Sequence, residues 1–128
     1  THMIRIPDAG RFELRLMDGS SNPYLLQAGV IAAGLHGLNN KVDPGEPLSC
    51  NMYTDYKNYP NLKKLPDEIE DALDFLKDSK ELKEAFGEDV IKSYIKLKNM
   101  EIEDFNKNDR FDKKSSVTHW EKNSTLDC

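Results

Sequence analysis

The sequence predicts a predominantly helical α+β chain: a short N-terminal β-ribbon (about residues 3–7 and 10–17) followed by four to five helices. Three observations carry that expectation. Residues 11–16, Arg-Phe-Glu-Leu-Arg-Leu, alternate strictly between charged and apolar, the period of a strand buried on one side. Residues 23–38 are apolar around nearly the whole circumference of a helix. Beyond residue 66 apolar residues recur at helical spacing, with Ile69, Ala72, Leu73 and Leu76 forming one stripe at i, i+3, i+4 and i+7.

The first elements follow from the turn residues. Residues 3–7 read as an extended piece ended by Pro7, and Asp8-Ala9-Gly10 supplies a turn into the charged strand. Phe12, Leu14 and Leu16 are expected to face a core. Arg11, Glu13 and Arg15 then stand in a row on the other face, about 7 Å from one to the next. Asp18-Gly19-Ser20 forms a turn, and Asn22-Pro23 a helix cap with a first-turn proline. The helix over 23–38 needs cover on all sides, more than a chain with few other apolar runs provides, so partner structure is implied. Gly29 and Gly34 each weaken it by about 1 kcal/mol relative to Ala, and close approach of another backbone is the usual reason in a buried helix. Gly37 and Asn39-Asn40 are expected to end it with residues that tolerate positive φ.

Residues 39–65 read as a long loop punctuated by Pro44, Gly45, Pro47 and Pro60 and carrying Tyr53, Tyr56 and Tyr59. Pro66 suits the first turn of the next helix, and Asp67-Glu68 complement its positive end. Ser79 restarts a short helix through Phe86, Gly87 breaks it, and a long helix runs over about 88–107. Val90, Ile91, Tyr94, Ile95, Leu97, Ile102 and Phe105 form the apolar side of that long helix. The charges on its other side read as a solvated face. Residues 106–117 are polar and aperiodic, a linker. Over 118–128 a terminal helix is expected, opened by a Thr118–Glu121 capping box and anchored by Trp120 and Leu126.

Composition bounds the function. The chain of 128 residues carries a net charge of −5, which argues against a nucleic-acid partner. It holds no run of about 20 apolar residues and opens on no signal peptide, so no membrane partner is expected. Cys50 and Cys128 lie far apart and outside any CxxC pair, which fits free thiols in a cytoplasmic protein. Phosphate-loop, dinucleotide-fold, nucleophile-elbow and HExxH patterns are absent. His2, His36 and His119 share no ligand spacing, and His36 at a helix end reads as structural.

The Arg11–Glu13–Arg15 face has two readings. It is a solvated edge whose charges neutralise one another, or it is a site. Guanidiniums suit phosphate and carboxylate oxygens, and a carboxylate between them can hold a hard divalent cation that bridges phosphates.

The run from Arg11 to Leu25 closely resembles the glutamine synthetase pattern R-[IF]-E-x-R-x-x-D-x-x-x-N-P-Y-L. Residues 33–38 (AGLHGL) resemble that family's AGLDGI, and residues 41–47 (KVDPGEP) its KIDPGEP. Leu65-Pro66 with residues 70–73 resembles LPxSLEEAL, and residues 86–98 the late FGEDFIDAYIxLK segment. Residues 117–121 with Leu126-Asp127 resemble the VTxWE…LD close of some members. The start, through Arg5-Ile6-Pro7, is similar to NR-[ST]-x-x-x-R-[IV]-P from just after its Asn-Arg. His2-Met3 also reads as a cloning remnant, although the frame into Arg5 favours a native junction.

The resemblance implies that residues 1–128 are a C-terminal segment of a larger glutamine synthetase catalytic α/β domain. It implies ATP-dependent ligation of ammonia to L-glutamate through γ-glutamyl phosphate, with Mg2+ or Mn2+ as cofactor. By the same resemblance Glu13 is a metal ligand, Arg15 contacts glutamate and the transferring phosphoryl group, and Arg11 lies near the ATP phosphates. The implied partners are the remainder of the subunit and a dodecamer-like ring of copies, and the isolated segment is expected to be inactive. Asn51-Met52-Tyr53 falls where members read KNLY, which makes Tyr53 a possible regulatory position, although residues 54–57 depart from the usual context; a packed or interface tyrosine is the other reading. Two further functions stay open: a γ-glutamyl ligase for methylamine or a polyamine, and a non-catalytic helical interaction module.

Overall fold

In the computed structural model, residues 3–17, 19–108 and 117–124 are described. They contain two antiparallel strands and six α-helices, in two compact units. The first unit spans residues 1–21 and 43–65, the second residues 22–42 and 66–128.

The first unit is built on a β-ribbon. Strand β1 (Ile4–Asp8) pairs with β2 (Arg11–Leu14) across a turn at Ala9-Gly10, where Gly10 has φ of 79°. That positive φ is the conformation glycine adopts without steric cost. The pairs are Asp8 with Arg11, Arg5 with Glu13 and Ile4 with Leu14. Between the first two pairs, Ile6 and Pro7 on β1 face Phe12 alone on β2, which is a β-bulge. Pro7 brings no N–H to the ladder and so suits the bulge.

β2 ends at Leu14, short of the residue 17 that the alternation predicts, although the Arg15 N–H still bonds the Met3 carbonyl at 2.9 Å. The expected core face is not buried: Phe12 is 63% exposed, Leu16 is exposed and Leu14 half-buried. A two-stranded ribbon has no second layer of its own to cover such a face.

The segment 43–65 is not wholly a loop. The Asp43 carboxylate accepts the Gly45 N–H at 2.9 Å in an Asx turn. A one-turn helix α2 (Met52–Asp55) follows, and a 3-10 turn (Tyr56–Asn58) continues it. Asn51 caps α2: its side chain accepts the Tyr53 N–H at 3.1 Å, while its own N–H bonds the Asp55 carboxylate at 3.2 Å.

The second unit begins with α1 (Pro23–Asn39). The Asn22 carbonyl oxygen of the side chain accepts the N–H groups of Tyr24 and Leu25 at 3.0 and 3.1 Å, and Pro23 occupies the first turn as expected. Gly37 does not end the helix but lies within it. The stop comes at Asn40, whose N–H and side-chain amide both bond the His36 carbonyl, and at Lys41, which takes φ of 51°. No residue of α1 is buried, and Tyr24 is 82% exposed. A Cβ at Gly29 or Gly34 would meet nothing within 4 Å, so the close backbone neighbour expected there is not found among the described residues.

Helix α3 (Ile69–Asp78) starts after Pro66 rather than on it, with Glu70 and Asp71 in its first turn. Ser79 ends it and caps α4 (Lys80–Phe86), accepting the Leu82 N–H at 3.2 Å. Gly87, at φ of 86°, separates α4 from α5 (Glu88–Asn108). α1 packs on α4, and α3 and α4 both pack on α5. Leu73 of α3 and Ile91 of α5 are the buried apolar residues among those described. Val90 and Leu97 are exposed, because they fall off the stripe formed by Ile91, Tyr94, Ile95, Ile102 and Phe105.

Residues 106–108, expected in the linker, close α5 instead, and 109–116 lie outside the described residues. Helix α6 (His119–Ser124) opens on the predicted capping box. The Thr118 hydroxyl accepts the Glu121 N–H at 3.1 Å, and Glu121 accepts the Thr118 N–H at 2.6 Å. Trp120 anchors it on α5: its indole N–H donates to Asp104 at 2.6 Å, and its ring meets Phe105 edge-on at 5.6 Å. Leu126, the other expected anchor, lies outside the described residues.

Candidate functional site

The β-ribbon carries the charged residues singled out by the sequence. Arg11 and Glu13 are two apart on β2 and therefore share a face. The Arg11 guanidinium donates to Glu13 Oε1 at 2.9 Å. Across the ribbon, Arg5 sits opposite Glu13 and donates to Oε2 at 3.2 Å. Each carboxylate oxygen therefore has its own guanidinium. The arginine side chains are 55% and 62% exposed against 34% for Glu13. Pairs this exposed are screened by water and add little stability.

Arg15 follows two residues after Glu13, where the Arg15–Met3 backbone bond continues the ladder past the end of β2. It is exposed and forms no ion pair among the described residues. Three guanidiniums against the carboxylates of Glu13 and Asp8 leave this ribbon an excess of one positive charge, and the guanidiniums suit an anion with several oxygens.

Arg5 is the member that reading β2 by itself overlooks. Its signal is its place on the partner strand, which becomes visible only once the register is known.

As a cation site the ribbon is incomplete. A hard divalent cation takes about six oxygen ligands. Among the described residues no three His, Cys, Asp or Glu side chains converge on one point. Glu13 fits such a cation as a single hard donor beside phosphate-seeking guanidiniums.

Tyr53 lies on α2, 75% exposed, and no hydrogen bond or ion pair among the described residues ties it to the arginine cluster. Nearby, Cys50 hydrogen-bonds Tyr59 and pushes the Tyr59 phenol above its ordinary range; charge on Cys50, desolvation and the charge of Asp55 add to this. The Cys50 thiol also meets the Met52 sulfur at 3.6 Å. In the second unit, His36 is held at the end of α1 by Asn40, whose amide nitrogen is 3.2 Å from the ring nitrogen Nδ1. That supports the structural role expected of His36.

The sequence model of the glutamine synthetase catalytic domain matches residues 1–122. The chain belongs to that family. The glutamine synthetase of Rhizobium meliloti (strain 1021) is 45% identical over 127 residues, which are 99% of this chain and 27% of that protein. The glutamate–methylamine ligase of Methyloversatilis universalis is 38% identical over 129 residues, 98% of this chain and 27% of that protein. A solved GmaS/ADP complex superposes with a TM-score of 0.77 at 41% identity, covering all of this chain and 27% of its own. This glutamine synthetase-family chain thus spans about a quarter of the length of these relatives. The ribbon followed by helices is a fragment of the glutamine synthetase fold. No helix among the described residues is long and apolar enough to cross a membrane.

Proposed function

We propose that residues 1–128 supply one wall of the active site of a longer subunit that ligates ammonia to L-glutamate with ATP, through γ-glutamyl phosphate. The observation that carries this reading is the placement of Arg5, Arg11, Glu13 and Arg15 together on one ribbon. Phosphoryl transfer asks a protein chiefly for positioning and for positive charge around the moving phosphoryl group. In this reading Arg11 holds ATP phosphate oxygens. Arg15, free of any ion pair on the ribbon, meets the substrate glutamate and the transferring phosphoryl group. Glu13 would contribute one ligand to a Mg2+ or Mn2+ ion, which when bound would supply positive charge to the phosphates. The remaining donors come from other parts of the longer subunit. Those parts also cover α1 and the apolar face of the ribbon, and copies of the subunit assemble as a ring in the cytoplasm. Tyr53, exposed on its short helix, is the proposed regulatory position.

The test is kinetic, in a full-length subunit that carries this segment. Arg15→Ala lowers kcat and kcat/KM together by a factor of about 10² to 10³, since its charge is needed most in the transition state. Glu13→Gln raises the Mn2+ concentration needed for half activity, because an amide is a poorer ligand for a hard cation. Phe12→Leu, on the other face, changes both kinetic quantities by only a few-fold. Loss of activity in folded Phe12→Leu with retention in Arg15→Ala would reverse the assigned facing. The chain by itself gives no γ-glutamyl hydroxamate with ATP and Mg2+ or Mn2+, and turnover from the pure chain would overturn the wall reading.

The likeness to a glutamate–methylamine ligase and to the GmaS/ADP complex favours a second reading, in which methylamine replaces ammonia as acceptor. The ribbon handles phosphates and glutamate and serves either acceptor equally. Competing ammonia against methylamine in the full-length subunit decides between them by the ratio of kcat/KM values.

A further inference from the structure

Glu13 engages one nitrogen on each of two guanidiniums, groups that a phosphate would also need. A carboxylate and a phosphate engage arginine through the same N–H groups, so the two compete wherever both can reach. Here the carboxylate is already in place, with Arg5 Nη1 at 3.2 Å from one oxygen and Arg11 Nη2 at 2.9 Å from the other. The arrangement is templated by the backbone: Arg5 lies opposite Glu13 in the ladder, and Arg11 lies two residues before it on the same strand. Arg15 stands two residues after it and carries no such counter-ion among the described residues.

We propose that Glu13 is a built-in competitor for phosphate on Arg5 and Arg11, a placeholder that a phosphate-bearing ligand displaces. Arg15 is then the open landing point for the anion. Displacement at the other two arginines releases the Glu13 carboxylate in the same event, so binding of the anion and exposure of the carboxylate are coupled. Because both pairs are well exposed, the placeholder is weak enough to yield to a multiply charged anion. The inference rests on the phosphate reading given above for the arginines.

The test uses this chain, phenylglyoxal as the arginine reagent and inorganic tripolyphosphate as the probe. Modification of Arg5, Arg11 and Arg15 is followed separately by peptide mass spectrometry, with sodium chloride at matched ionic strength as the baseline. In Glu13→Gln the tripolyphosphate concentration giving half-protection of Arg5 and Arg11 falls about two- to five-fold, the range of an exposed ion pair. Half-protection of Arg15 changes less. Hydrogen exchange over residues 3–15 verifies that the ribbon stays paired. Glu13→Asp, one methylene shorter, keeps the charge but not the reach, and shifts Arg5 and Arg11 the same way by less. Protection of Arg5 and Arg11 at unchanged concentrations, or an equal shift at all three arginines, overturns the placeholder and leaves the phosphate reading standing. If tripolyphosphate protects none of them beyond sodium chloride in either protein, the phosphate reading itself fails, and the inference with it.

Discussion

Trp120 docks α6 on α5 through contacts with Asp104 and Phe105, and their strength follows from the geometry. A six-residue helix cannot hold its own hydrogen bonds in water, so α6 persists only through its capping box and its packing. The edge-on meeting of Trp120 with Phe105 is worth about 0.5–1.5 kcal/mol beyond area burial. The indole N–H to the Asp104 carboxylate is charge-assisted, but Asp104 is exposed, so the lower end of the range applies, about 1 kcal/mol. Asp104→Ala should therefore raise the undocked population about five-fold, and Phe105→Leu by a similar factor. Trp120 is the single tryptophan of the chain, so its emission and its quenching by acrylamide report docking directly. Both variants should shift the emission to the red and increase quenching. Asp104 also accepts the Asn108 side-chain amide at 2.9 Å, so Asn108→Ala is the control for a frayed end of α5. If both docking variants keep the wild-type emission and quenching while remaining folded, the Asp104–Phe105 account of the anchor is wrong.

Leu73→Ala and Ile91→Ala each remove a buried side chain from the small core of the second unit, and each should cost about 2–5 kcal/mol in urea unfolding; exposed Leu97→Ala should cost well under half of that. The Glu81 carboxyl is held below its ordinary range by its own backbone N–H and then by the Ser79 hydroxyl, with His36 and Lys80 adding attraction. Its folded pKa being depressed, its contribution is present above the ordinary carboxylate pKa and is lost as pH falls through the depressed value; Glu81→Gln should flatten that limb of an acid titration followed by far-UV circular dichroism. The uncovered apolar circumference of α1 should bind an apolar dye and make the isolated chain associate, and sedimentation as a monomer at high concentration without dye binding would contradict that.

Local chemistry made much of this fold legible. Asn22-Pro23, Ser79, Gly87 and the Thr118–Glu121 box each set a helix boundary through side-chain hydrogen bonds or backbone conformation that the residue type itself announces. What was not legible depended on partners. Phe12 and Leu16 alternate like core residues, but no layer among the described residues buries them. Asn40 ends α1 as its residue type announces, through two bonds to the His36 carbonyl, but Gly37 stays inside the helix and the positive φ falls on Lys41. α2 is too short for periodicity to reveal and depends on the Asn51 N–H bonding the Asp55 carboxylate and the Asp55 N–H bonding the Asn51 carbonyl. In the site, alternation placed Arg11 and Glu13 on one face correctly, and it could not bring in Arg5, which needs the register.

That register turns on the bulge at Ile6-Pro7. A ribbon that ran regularly back from the Asp8–Arg11 pair would set Arg5 against Leu14 and Ile4 against Arg15. Every charged residue of β1 beyond the turn would then lie across from an apolar one, since a slip of one residue exchanges the two faces. Instead Ile6 and Pro7 together face Phe12, and the extra residue brings Arg5 to Glu13 and Ile4 to Leu14. Asp8 and Arg5 thereby stand on the charged side although they are three positions apart, an odd offset that regular alternation puts on opposite faces. The bulge therefore does chemical as well as geometric work. It gives Glu13 its second guanidinium, and it gathers onto one face the charges that suit a phosphate, while the apolar side chains keep to the other face for burial. The bulge at Ile6-Pro7 thus shapes the arginine cluster without touching it.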